Sequence, residues 1–118
     1  MTNRERMLAG EPYNPFDKTL QAERQKTRKL LNRLNNLVGE DQKEQSKLIH
    51  LIIGQLGKRT WIEPPFFCDY GSNIILGDNV FFNFNCTILD PARVVIGDRC
   101  MFGPTVQIYT ASHPLDLE

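Results

Sequence analysis

The chain has 118 residues, 41% of them hydrophobic and 24% charged, with formal charges that cancel. That length suits one domain with a small appendage, and the composition supports a buried core and excludes wholesale disorder. No apolar run approaches the ~20 residues of a membrane span, and the opening M-T-N-R-E-R-M-L-A-G lacks the apolar stretch of a secretory signal, so a cytoplasmic protein without a membrane partner is expected.

Thr2 with Glu5 three residues on forms a capping-box pattern, and Gly10 suits a stop, which predicts a short helix over 3–9. Pro12 and Pro15 make residues 11–16 an irregular turn. Asp17 can cap a second helix, in which Leu20, Thr27, Leu30, Leu31 and Leu34 recur near helical spacing while Arg24, Lys26, Arg28 and Lys29 face water. Asn35, Asn36 and Gly39 end it. Asp41 and Glu44 form another cap pair. Leu48, Leu51, Ile52 and Leu56 then predict a further amphipathic helix stopped by Gly57. His50 has no Cys, Asp or second His at i±3 or i±4, so it reads as a partly exposed packing residue rather than a metal ligand. Residues 1–60 hold 12 Lys and Arg against 7 Asp and Glu, and residues 61–118 hold 2 against 7. The basic half interleaves its charges with acids along helices, the pattern of a solvated face rather than of a nucleic-acid surface.

From Trp61 the pattern changes. Glu63-Pro64-Pro65 breaks any helix. Short apolar pieces at period two follow: Ile74 and Leu76; Val80, Phe82 and Phe84; Cys86, Ile88 and Asp90; Val94 and Ile96; Cys100 and Phe102; Val106 and Ile108. Leu76-Gly77-Asp78-Asn79-Val80-Phe81 returns as Ile96-Gly97-Asp98-Arg99-Cys100-Met101, with the two Gly-Asp pairs 20 positions apart. An aliphatic residue, Gly-Asp and a small apolar residue make the hexapeptide form of a triangular parallel β-helix, three hexapeptides per coil of ~18 residues. The two surplus residues are placed at Pro91-Ala92 as a corner bulge. In this fold the aliphatic residues stack inward, and Gly-Asp turns the corner, with Asp78 and Asp98 bonding nearby amides. The expected organisation is therefore a helical segment over 1–60, covering one end of a β-helix over 61–118. An antiparallel β domain with coincidental Gly-Asp turns is the alternative.

Cys68, Cys86 and Cys100 are an odd number without C-x-x-C spacing, which fits free thiols in a reducing compartment and no metal site. Cys86 and Cys100 fall on inward positions, where a thiol serves as a small hydrophobe.

Three stretches carry a resemblance. M-L-A-G-E-P-Y, then E-P-P-F-F-C-D-Y-G-S-N-I-I-L-G-D-N-V-F-F-N-F-N-C-T-I-L-D, then I-G-D-R-C-M-F-G-P-T-V-Q-I-Y-T-A-S-H-P-L-D are similar in order and spacing to the maltose/galactoside O-acetyltransferases, among the hexapeptide-repeat acyltransferases. The resemblance implies a mainly β protein, a left-handed parallel β-helix preceded by an N-terminal α-helical segment, working as a cytoplasmic homotrimer with active sites between subunits. It implies transfer of acetyl from acetyl-CoA, as co-substrate, to a sugar hydroxyl, without a metal. The family's T-A-x-H-P-L-D histidine falls on His113 and its transition-state asparagine on Asn83. Acceptor contacts fall on Asp69 in C-D-Y-G, on Asn83 where its amide holds the acceptor instead of the oxyanion, and, more loosely, around Asn14 and Asp17, with Asn14 standing where many relatives carry Asp. Family members continue for further coils that hold most CoA contacts. The chain is therefore expected to be an N-terminal part, truncated in its β-helix, with the residues that bind the co-substrate falling mostly beyond Glu118. Arg93 and Arg99 are the only cations over 61–118 to meet an anionic co-substrate.

A sugar hydroxyl needs a base that is unprotonated near neutral pH, and histidine, with an unperturbed pKa of ~6.5, suits that task. Taken alone, His113 reads as a loop histidine before a proline, Asn83 or Asn85 as a member of an internal asparagine stack, and Asp69 as a cap of the Tyr70-Gly71 turn. Two other functions remain open: a truncated, non-catalytic module that trimerises or binds saccharide, and a β-helix carbonic anhydrase. The latter needs three histidines around zinc, against the two present here.

Overall fold

A computed structural model describes residues 1–37 and 39–110. Three helices, α1 (Asn3–Leu8), α2 (Lys18–Asn35) and α3 (Gln42–Ile52), precede nine short strands. These are β1 (Gln55–Leu56), β2 (Trp61–Ile62), β3 (Phe66–Cys68), β4 (Ile74–Leu76), β5 (Phe81–Phe82), β6 (Cys86–Leu89), β7 (Val94–Ile96), β8 (Met101–Phe102) and β9 (Gln107–Tyr109). They form three parallel sheets ordered β1-β4-β7, β2-β5-β8 and β3-β6-β9, the three walls of a prism.

The helix signals act as their residue types require. Thr2 and Glu5 close a reciprocal capping box on α1, and Gly10 follows its end at φ 76°. The Asp17 carboxylate accepts from the N–H groups of Thr19 and Leu20 at the start of α2. Asp41 accepts from Glu44 N–H at the start of α3. Leu31 and Leu34 of α2 and Leu48, Ile49 and Ile52 of α3 join one core with Ile62, Phe66, Ile74, Phe82, Cys86 and Ile88. The helices thus cover the first coil, whose inward residues have no coil above them to stack on.

The structure corrects the sequence reading at three points. First, α3 ends at Ile52 and Leu51 is 59% exposed. Leu56 is a strand residue paired with Leu76, so β-helix pairing starts at Gln55, ahead of the 60/61 division. Second, Phe84 is 46% exposed rather than inward, because β5 stops at Phe82 and the chain turns a corner through Asn85 at φ 62°. Third, every register pair differs by twenty positions, as in Trp61 with Phe81, Phe66 with Cys86 and Ile74 with Val94, so no coil has 18 residues. The longer corner lies between β6 and β7, where Pro91-Ala92 sits, and equally between β3 and β4 one coil earlier. The described part of the prism closes with β9 and Thr110, so the stretch from 111 to Glu118, with the expected break in the β-helix at its end, lies outside the described residues.

Twenty-residue spacing exposes a third copy of the repeat, Leu56-Gly57-Lys58-Arg59-Thr60-Trp61, in which lysine stands where the later coils have aspartate. The reason is directional. Asp78 accepts from Lys58 N–H at 2.7 Å, and Asp98 accepts from Asp78 N–H at 2.8 Å. Each aspartate serves the coil before it, and the first coil has none to serve. Arg59, Asn79 and Arg99 stack in the left-handed region at φ 53°, 58° and 60°, one per coil. Inside, Phe82 lies flat on Phe102 with ring centroids 4.3 Å apart, and Phe66 meets Phe82 edge-on at 6.4 Å.

Candidate active site

The longer corner after β3 is closed by buried hydrogen bonds to the next coil. Asp90, fully buried, accepts from Tyr70 N–H at 2.9 Å and from Asn73 N–H at 3.3 Å. The Asn73 carboxamide donates to the Asp90 carbonyl at 2.8 Å. Burial raises the Asp90 pKa, and hydrogen bonds from the corner's backbone pull it partly back. This clamp holds Asp69 in place at the surface. The Asp69 carboxyl makes no hydrogen bond among the described residues. Burial raises its pKa, and the charges of Arg24 and Arg28 lower it in part. Burial also pushes the Cys68 thiol well up, with Asp90 and Asp69 adding to the shift, which leaves it inert as a nucleophile near neutral pH.

Helix α2 ties the N-terminal turn to this corner. Arg24 Nη1 donates to the Tyr70 hydroxyl at 2.6 Å and Nη2 to the Pro15 carbonyl at 2.7 Å, with the guanidinium 5.7 Å above the Tyr70 ring. Arg24 therefore ties the 11–17 turn to Tyr70, the residue after Asp69, a role its place in a basic helix did not signal. Within that turn Asp17 is committed to the cap and to the Asn3 carboxamide, which donates to it at 3.1 Å and, with the capped amides, lowers its pKa. Asn14 is exposed. Its N–H donates to Asn3 Oδ1 at 2.9 Å and its own Oδ1 accepts from Phe16 N–H at 3.0 Å, which leaves its Nδ2 as the uncommitted donor.

Asn83 stands elsewhere. It follows β5, at the corner between the second and third walls, with its N–H donating to Phe102 O at 3.0 Å. Its Oδ1 accepts from Phe84 N–H at 2.8 Å. The carbonyl end is thereby anchored, and the –NH₂ end is left as a directed donor. The structure thus ties Asn14 and Asp17 to one another through Asn3, sets Asp69 at the corner after β3, and places Asn83 at a different corner, after β5. His113 lies outside the described residues, as does Glu118, beyond which most co-substrate contacts were expected. His50 is exposed on α3, its Nδ1 2.8 Å from the Ser46 carbonyl. Among the described residues no three His, Cys, Asp or Glu side chains gather as a metal site.

Comparison with known proteins adds to this geometry. Residues 6–57 match the maltose acetyltransferase hexapeptide capping motif, the stretch observed as α2, α3 and the entry into the first coil. Nodulation protein L of Rhizobium meliloti (strain 1021) is 45% identical over 117 residues, 99% of this chain and 64% of that protein. The chain also superposes on a maltose O-acetyltransferase from Clostridium difficile 630 with a TM-score of 0.95 at 39% identity, covering 99% of this chain and 63% of the other. The chain is thus similar along nearly its whole length to maltose and galactoside acetyltransferases. Its fold is accordingly a left-handed parallel β-helix with an N-terminal helical segment. A galactoside acetyltransferase in complex with coenzyme A matches with a TM-score of 0.93 at 32% identity, again over 99% of this chain and 58% of that one. The chain spans less than two thirds of the length of each of these three relatives.

Proposed function

We propose that this chain serves an acetyl-CoA-dependent O-acetyltransferase acting on a sugar hydroxyl. The observation that carries the reading is similarity along 99% of the chain to an enzyme named for maltose O-acetylation, joined to a free carboxyl and a directed amide at the positions the family uses. In this reading His113 is the general base. It takes the proton of the acceptor hydroxyl as that oxygen attacks the thioester carbonyl. The tetrahedral oxyanion receives the Nδ2–H of Asn83, the end left free by its bond to Phe84 N–H. Collapse breaks the C–S bond, and the departing thiolate recovers the proton from His113. No acyl-enzyme forms, so Cys68, Cys86 and Cys100 take no part.

The acceptor is held by the Asp69 carboxylate and by the 11–17 turn with Asn14 and Asp17. Asp69, between β3 and β4, and Asn83, between β5 and β6, lie at different corners of one prism. A homotrimer with its sites at the subunit seams brings the acceptor edge of one protomer to the Asn83 edge of the next. The protein works in the cytoplasm, where acetyl-CoA is supplied. The test mixes the chain with acetyl-CoA and a thiol reagent and titrates glucosides, maltosides and galactosides. Release of CoA that depends on sugar supports transfer. Sugar-independent or absent release, with binding retained, makes the chain a saccharide-binding or assembly module instead.

A further inference from the structure

Helix α2 and the edge of β3 are joined at two points and open between them. At one end the Asn35 carboxamide donates to the Phe66 carbonyl and accepts from Phe66 N–H, both at 2.9 Å. At the other, Thr27 Oγ1 donates to the Tyr70 carbonyl at 2.9 Å, beside the Arg24–Tyr70 bond. These clamps set a fixed separation. Between them lies an open cleft of ≈ 350 Å³ lined by Arg28, Leu31, Asn32, Asn35, Phe67 and Cys68, within the ~300–1,000 Å³ range of small-molecule sites.

The lining has a particular chemistry. Leu31 and Cys68 are buried, while Phe67, pointing outward on β3, is 48% exposed. Arg28 and Asn32 are one helical turn apart on α2, on the same face as Arg24. Neither side chain makes a hydrogen bond to another described residue. Asp69 lies two residues beyond Phe67 on the same outward face and close to Arg28. An exposed aromatic ring flanked by a planar guanidinium and a planar carboxamide suits a sugar ring. Its C–H face stacks on the aromatic, and its neighbouring hydroxyls pair with the forked donors and the amide oxygen. A purely apolar tail would use only Leu31 and Phe67.

We propose that the cleft between α2 and β3 is a second sugar subsite, taking the ring next to the one that is acetylated. The inference rests on the acceptor reading of Asp69 given above and extends it to a substrate class, disaccharides and longer glycosides.

The test is a calorimetric or NMR titration of the intact chain with methyl glucoside, methyl maltoside and hexyl glucoside. The second ring should strengthen binding about tenfold, the factor that ~1.4 kcal/mol of ring contact yields. That gain should fall to within about twofold in Phe67→Ala and in Asn32→Ala, with monosaccharide affinity unchanged, and should survive in Phe67→Tyr. Thermal melts confirm that each variant is folded. Equal binding of one and two rings, or a gain that persists in both alanine variants, overturns the subsite and leaves the acceptor reading standing. A hexyl chain that gains as much as the second sugar overturns the sugar assignment. Failure of the monosaccharide to bind overturns the acceptor reading and the subsite together.

Discussion

Replacing Asp90 tests how the coil is held where it carries Asp69. Its carboxylate accepts the buried N–H groups of Tyr70 and Asn73 at 2.9 and 3.3 Å. Asp90→Ala leaves both without a partner in a site closed to water. Each orphaned donor costs about 1–3 kcal/mol. From that sum of about 2–6 kcal/mol must be taken what burial of the charge was costing, visible as the raised pKa, so a net loss of about 2–4 kcal/mol is expected. Asp90→Asn keeps one acceptor oxygen and should lose about 1–3 kcal/mol. Guanidinium unfolding should show both midpoints lowered at constant m-value, alanine more than asparagine. The sign of the pH dependence follows from the shift. A carboxyl whose folded pKa lies above the unfolded ~3.9 binds its proton more tightly in the fold. The resulting stabilisation is complete below ~3.9 and is lost as pH rises through the folded value. The advantage of the parent over Asp90→Asn should therefore widen on acidification. An alanine variant within ~0.5 kcal/mol of the parent, or an advantage that shrinks in acid, would refute the reasoning.

Gly57→Ala would set its Cβ 2.1 Å from the Gly77 carbonyl oxygen in the next coil, and since backbone cannot step aside the melting temperature should drop by the equivalent of about 1–3 kcal/mol. His113→Ala should cut transfer by ~10²–10⁴-fold with an unchanged melting curve, and undiminished turnover would remove the imidazole from the mechanism. Asn83→Ala should lower kcat more than it raises KM for acetyl-CoA, and the reverse pattern would make it a binding residue. Acceptor KM should rise as pH falls through the Asp69 pKa, which burial holds above its ordinary value. Asp69→Asn should remove that limb, and an identical profile in the variant would exclude contact between this carboxyl and the sugar.

Periodic features were legible without coordinates because each depends on neighbours close in sequence or on a regular repeat. The capping pairs at Thr2, Asp17 and Asp41 act over a few residues, and the Gly-Asp corners at 77 and 97 recur at a fixed interval of twenty; all are observed. The stacking of Ile74 and Leu76 on Val94 and Ile96 repeats at a constant interval, so a short chain displays it openly. The opening coil escaped notice because Lys58 replaces the aspartate that only later coils need.

Other features exist only once the chain is wound. Arg24 reaches Tyr70 across 46 positions, Asn35 grips β3 at Phe66 while Thr27 grips the corner after it at Tyr70, and Asp90 closes a corner 20 residues upstream. No local spacing announces such contacts, since a helix residue's partner is chosen by how the helix docks. Local geometry and repetition thus determined the prism and its corners from the amino-acid order alone. Docking of α2 onto the first coil decided that Arg24 meets the corner beside Asp69 and that a cleft opens between α2 and β3, because hydrogen bonds between distant segments form only after the core has brought those segments together.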